Sequence, residues 1–194
     1  MNEETEPESY CPASKKQWRA WLQKNHAKKQ SVWLIYYKLK AGMPTLSWSE
    51  AVDEALCFGW IDSKALSIDE EKYKQFFTKR KPSSAWSKIN KEKIKRLIEE
   101  GLMMPAGLAS IELAKQNGSW TILDEVENLT IPKDLEKAFR ANKGSKKFFL
   151  SLSKSVQKMI LQWIAFAKLE ETRQRRIYEV ATLATKKLKP KHIP

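Results

Sequence analysis

At 194 residues, with 42% apolar residues and 8 Trp, the chain suffices for one ordinary domain or two small ones, and bulk disorder is excluded. No apolar run approaches the ~20 residues that cross a bilayer, and two His and two Cys without paired spacing exclude the usual metal motifs. The net charge of +13 is concentrated: residues 133–194 hold 16 Lys/Arg against 5 Asp/Glu, while 1–61 (8 against 7) and 62–132 (12 against 11) nearly balance, which points to an anionic partner.

Residues 1–12 read as a flexible acidic arm, the reverse of a secretory signal. From Ser14, the spacing of Trp18, Trp21, Leu22 and Asn25 predicts a helix. Val32–Tyr37 is β-branched and aromatic and reads as a buried strand. Ser47-Trp48-Ser49-Glu50 has the form of a capping box, and the helix it opens stops at Gly59. Trp60–Lys64 and Tyr73–Thr78 read as a hairpin around the acidic Asp69–Glu71 loop. Later segments read as helices. Ile94, Leu97 and Ile98 mark one that ends at Gly101; Pro105 and Pro132 each read as the first residue of another. Residues 118–131 read as a linker. Val156, Met159, Ile160, Trp163, Ile164 and Ala167 give offsets 0, 3, 4, 7, 8 and 11 of an amphipathic helix. Ile177, Val180, Ala181 and Ala184 share one face of the last helix, and the basic tail from residue 188 is expected to fray. The expected fold is α+β: a small mixed sheet with flanking helices, then a basic all-helical C-terminal region. Its divisions are an arm (1–12), an α+β unit with helical extension (13–131), a basic helical region (132–187) and a basic tail (188–194).

No glycine-rich phosphate loop or nucleophile elbow is present, so no nucleotide or metal cofactor is expected. Cys57 stands at the C-terminal end of its helix, where the dipole disfavours a thiolate, and reads as a small buried residue. Asp62 shares a strand face with Trp60; it could anchor a ligand amine or pair with a Lys or Arg across the hairpin. Residues 76–90 interleave aromatics with cations and run into a helix start. Arg80, Trp86, Lys88 and Asn90 there could surround an anion, or the segment could be a solvated loop with Trp86 in the core. Lys154, Lys158, Arg175 and Arg176 form basic helical faces suited to a polyanion. Arg173, four residues before Ile177, falls on the apolar face and calls for a carboxylate from Glu170, Glu171 or the first half.

Ala55–Asp62, Phe77–Lys81, Trp86–Ile89, Met104–Leu108 and Gly118–Trp120 carry a resemblance that returns in Ser153–Ser155, Trp163–Ile164, Ala167–Lys168 and Glu171–Ile177. From about residue 14 to 187 the chain resembles the bacterial YdeI/OmpD-associated family, often labelled bacteriocin-protection proteins. The resemblance implies a role in resistance to antimicrobial peptides and envelope stress, and it brings no catalytic residues. Some members are described as periplasmic; without a signal sequence, this chain is expected in the cytoplasm. A protein of charge +13 repels cationic peptides, so direct sequestration of such toxins is disfavoured. The expected activity is binding of an anionic ligand or polyanion: nucleic acid, anionic lipid or an acidic protein. The alternatives are an enzyme with a pocket around Trp60, Asp62 and Arg80–Asn90, or a sequence-nonspecific nucleic-acid-binding protein.

Overall fold

Local signals set most element starts in the computed structural model, which describes residues 7–194. The Ser14 hydroxyl accepts from the Gln17 amide and opens helix α1 (Lys15–Asn25). The capping box is complete: Ser47 accepts from the Glu50 amide, Glu50 accepts from the Ser47 amide, and α2 (Trp48–Cys57) follows. Gly59 has φ +73, a left-handed turn residue that leads into the next strand.

The chain divides into two compact units. The first comprises residues up to Ser84 together with Ile89–Ser119; the second comprises Ala85–Lys88 together with Trp120–Pro194. The first unit is built on a mixed four-stranded sheet of order β1-β2-β4-β3. Strands β2 (Ser31–Tyr37) and β3 (Trp60–Ser67) both run antiparallel to the central β4 (Lys72–Lys79). Strand β1 (Ser9–Tyr10) joins β2 in parallel. It falls within the segment read as an arm; residues 1–6 of that segment lie outside the described residues. Two residues carry no period of their own, and β2 supplies the template.

One sheet face carries Val32, Leu34, Tyr36, Trp60 and Phe77, all buried. Trp18 of α1 meets the Phe77 ring at 5.5 Å and Trp21 meets Trp60 at 5.9 Å, so the N-terminal helix closes the core on this side. Helix α2 carries two buried carboxylates, which the sequence reading passed over. Asp53 is held by Lys93 and Arg96 of α3 (Lys88–Glu99), each at 2.5 Å. Glu54 is held by Arg19 at 2.6 Å and Lys15 at 3.4 Å. Helix α4 (Pro105–Gln116) approaches the end of α2 through Gly107, where an added Cβ would sit 2.3 Å from the Cys57 carbonyl oxygen. Pro105 opens that helix as expected, and Ile111 is buried on it while Leu108 is exposed.

The second unit is helical: α5 (Asp124–Glu127), α6 (Lys133–Ala141), α7 (Ser145–Ser151), α8 (Lys154–Ala165) and α9 (Glu170–Thr185). Leu135, Phe139, Phe149, Ile160, Ile164, Ile177 and Val180 form its core. Residues 118–131 are no free linker, because Leu123 and Val126 of that stretch are buried in the same core. Pro132 caps α6 rather than starting it, so the helix begins one residue later than read. On α8 the buried line is Gln157, Ile160, Leu161 and Ile164; Val156, Met159 and Trp163 flank it, a rotation toward the neighbouring helices. The tail folds back instead of fraying. Lys187 adopts φ 57, Ile193 is buried, and the His192 ring meets Trp163 at 4.3 Å. Pro190 and Ile193 give this basic segment enough apolar surface to dock.

Candidate functional site

The first unit contributes Trp60, Asp62, Arg80 and Asn90 of the residues singled out in the sequence; Trp86 and Lys88 belong to the second. Trp60 is a core residue: it is fully buried, and its indole N–H reaches the His26 carbonyl at 3.4 Å. Asp62 shares its strand face, as the alternation requires. Its partners differ from the expected cation. Asp62 Oδ2 accepts from Trp48 Nε1 at 2.9 Å and from Gln75 Nε2 at 3.0 Å, and Gln75 also donates to the Ser63 carbonyl at 2.8 Å. Gln75 comes close because Asp62 stands opposite Phe77, and Gln75 lies two residues along β4 on the same face; the register shift of β3 follows, between Asp62 and Ala65. Neither donor titrates, so the arrangement orients Asp62 without giving it a proton relay.

Arg80 is half-buried rather than exposed, and burial pushes its guanidinium down to about 10 while the Asp62 charge pulls it back up. Tyr36, fully buried, stacks on Tyr73 at 4.8 Å. Its hydroxyl has no hydrogen-bond partner among the described residues. Burial first, then Tyr73 and Asp62, drive this phenol above its ordinary value. Cys57 is fully buried, and burial pushes its thiol up against the opposing pull of Arg19. In the second unit Trp86 is buried against Trp120, with ring centres 5.1 Å apart, and Lys88 is exposed. Asn90, on α3, is half-buried.

The four basic residues of the second unit separate into two kinds. Lys158 pairs with Glu127 at 2.6 Å, and Arg176 donates to the Trp163 carbonyl while lying 5.0 Å from that ring's centre. Both hold the fold as well as charge the surface. Lys154 lines an open cleft with Lys158, Ser155, Asn128 and Glu127. Arg175 lines a largely apolar groove of about 790 Å³ with Tyr178, Leu183, Leu188 and Lys191. Arg173 is architectural, as its place on the apolar face requires. Its partner is Asp134, gripped at 2.6 and 3.1 Å, instead of Glu170 or Glu171.

With this geometry in place, comparison with known families separates the same two regions. Residues 10–110, slightly more than half of the chain, match a family described as Domain of unknown function (DUF8412). The chain belongs to that family. Residues 128–186 match a second family, described as Bacteriocin-protection, YdeI or OmpD-Associated. The YdeI/OmpD-associated resemblance is therefore borne out in the C-terminal region, a narrower span than the sequence motifs suggested. Those between Ala55 and Trp120 lie outside that match. At the family level, the match supports a bacteriocin-protection, YdeI-type role. No curated protein and no solved structure matches the chain. No helix among the described residues is long and apolar enough to cross a membrane.

Proposed function

We propose that this protein is a non-catalytic basic binding protein of the bacteriocin-protection type, acting in the cytoplasm and engaging an anionic ligand or surface through its second unit. One observation carries the reading. Residues 133–194 hold 16 cationic against 5 acidic side chains, and internal pairing does not cancel the surplus. Asp134 is engaged by Arg173, and Glu136 by Lys146 and Arg140. Only Glu170, Glu171 and Glu179 remain to offset the other cations of that stretch. A fold that needed charge only for solubility would mix both signs. The repulsion between this surface and cationic peptides favours an anionic target over capture of the toxin itself.

The test is fluorescence anisotropy with a labelled heparin oligosaccharide. Lys154→Gln combined with Arg175→Gln should weaken binding and flatten its salt dependence by about one charge per residue, while thermal unfolding stays unchanged. Arg176→Gln should lower stability, since it also loses the Trp163 carbonyl contact. Binding that is absent at low salt, or untouched by the Lys154/Arg175 double change, would overturn the reading.

A further inference from the structure

The sheet has a second face, and its composition is unusual. Opposite the core side, β2 presents Trp33, Ile35 and Tyr37, and β4 presents Lys72, Lys74, Phe76 and Thr78. Register brings these into rows: Trp33 opposite Phe76, Ile35 opposite Lys74, Tyr37 opposite Lys72. The rings of Trp33 and Phe76 lie 4.7 Å apart. Lys74 Nζ stands 4.5 Å from the Trp33 ring centre; Lys64 Nζ stands 5.5 Å from Trp33 and 5.7 Å from Phe76; Lys72 Nζ stands 5.7 Å from Tyr37. Tyr37, Phe76 and Lys74 are half-buried, Lys64 and Leu66 are exposed, and Trp33, only 6% exposed, is buried beneath Lys64 and Lys74. Lys72 has an acidic neighbour, Asp69 at 3.8 Å; neither Lys64 nor Lys74 has an ion-pair partner among the described residues.

We infer that this face is a binding platform for single-stranded nucleic acid. Tyr37 and Phe76, on adjacent strands, are the rings a base can meet first; Trp33 lies under Lys64 and Lys74 and comes within reach only when they move aside, and the lysines are positioned beside the rings for phosphates. An ammonium above a ring is held weakly at an exposed site, whereas base stacking is the stronger contact. A base can therefore displace each lysine from its ring, and the released ammonium gains a phosphate. Charge selects the occupant further: the strands contribute three lysines and no carboxylate to this face, so a polyanion with planar rings fits it. Duplex DNA, whose bases are stacked within the helix, and heparin, which has no aromatic ring, can meet the lysines but not the aromatic rings. The platform is built entirely from residues of the first unit, and it stands without the basic surface assigned to the second.

The test uses the full chain and a fluorescein-labelled oligothymidylate of about a dozen nucleotides, within the site sizes such platforms cover. The single strand should bind about tenfold tighter than the duplex of equal length or heparin of equal charge. Tyr37→Ala and Phe76→Leu should each weaken single-strand binding about tenfold while leaving heparin binding unchanged. Lys74→Gln, which leaves the rings in place, should lower the slope of log affinity against log salt by about 0.7. The Lys154/Arg175 double change should leave the single-strand preference intact. Equal binding of single strand, duplex and heparin, with the sheet variants silent, would overturn this inference while the charged second unit keeps its role. Binding to anionic vesicles that depends on Lys64 and Lys74, with no affinity for the oligonucleotide, would overturn it in favour of a membrane surface. No binding of any polyanion would overturn both readings.

Discussion

Gly107→Ala sets two effects of opposite sign against each other. In an exposed helix interior the change stabilises by about 1 kcal/mol, because alanine has less backbone freedom to lose. Helical propensity alone therefore predicts a gain at this position of α4. The packing predicts a loss. The new Cβ would stand 2.3 Å from the Cys57 carbonyl oxygen and 2.8 Å from the Leu56 carbonyl oxygen, and both atoms are backbone. Neither can rotate away like a flexible side chain. Relief requires α4 to retreat from α2, and that strains the Met104 amide to Cys57 carbonyl hydrogen bond of 3.0 Å. Overpacking of this kind costs about 3 kcal/mol, the upper end of its usual range, since rigid backbone must move. The net expectation is a loss of about 2 kcal/mol, read as a fall of roughly 4–8 °C in Tm for a chain of this size. Urea unfolding followed by circular dichroism gives the same quantity from the shift in midpoint. Unchanged or increased stability would refute the close approach of α4 to α2.

The thiols should behave in opposite ways: exposed Cys11 should label at once with a thiol reagent, and Cys57 only on unfolding, so a rapid second equivalent from the native protein would contradict its burial. Asp134 should govern part of the acid stability. Burial alone would raise its carboxyl, but hydrogen bonds from Arg173 and the Leu135 amide, with the Arg173 charge, outweigh it and hold the group below its ordinary 3.8. The stabilisation is thus fully present above that unfolded value and is lost as pH falls through the lower folded one. Asp134→Asn should cost about 2 kcal/mol at neutral pH, given side chains only 24% and 29% exposed, and should flatten the acid limb of stability against pH; an unaltered acid limb would show that the pair contributes nothing.

Much of the first unit was legible because its signals are local. Ser14, the Ser47/Glu50 box, Gly59 and the alternation in β2 and β4 each act within a few residues, and each element formed where read. The order of the sheet was not legible, since β1 exists only through pairing with β2. The ion-pair clamps on Asp53 and Glu54 join residues up to 43 positions apart, and in the sequence those carboxylates look like any charged pair on a helix. Asp62 was found by its place beside Trp60, but its partners, Trp48 on α2 and Gln75 on β4, lie 14 and 13 positions away and no local spacing pairs them with it. The lysine–aromatic face left a readable trace, alternating Lys72, Lys74 and Phe76 with Tyr73, Gln75 and Phe77. Assigning the outward set required knowing which face the helices cover. On α9 the periodicity named the buried residues correctly, and Arg173 was placed by the same rule; its carboxylate came from α6, beyond the reach of any local pattern.

The surplus charge of the second unit, if it engages an anionic partner, must show itself in salt-dependent binding. This engagement is tested most directly by the affinity of the full chain for a heparin oligosaccharide, measured across a series of salt concentrations. Log affinity should fall steeply and linearly with log salt, through counterion release by several cations, and the Lys154/Arg175 double variant should give a shallower line. A flat dependence, or lines of equal slope for the two proteins, would contradict it.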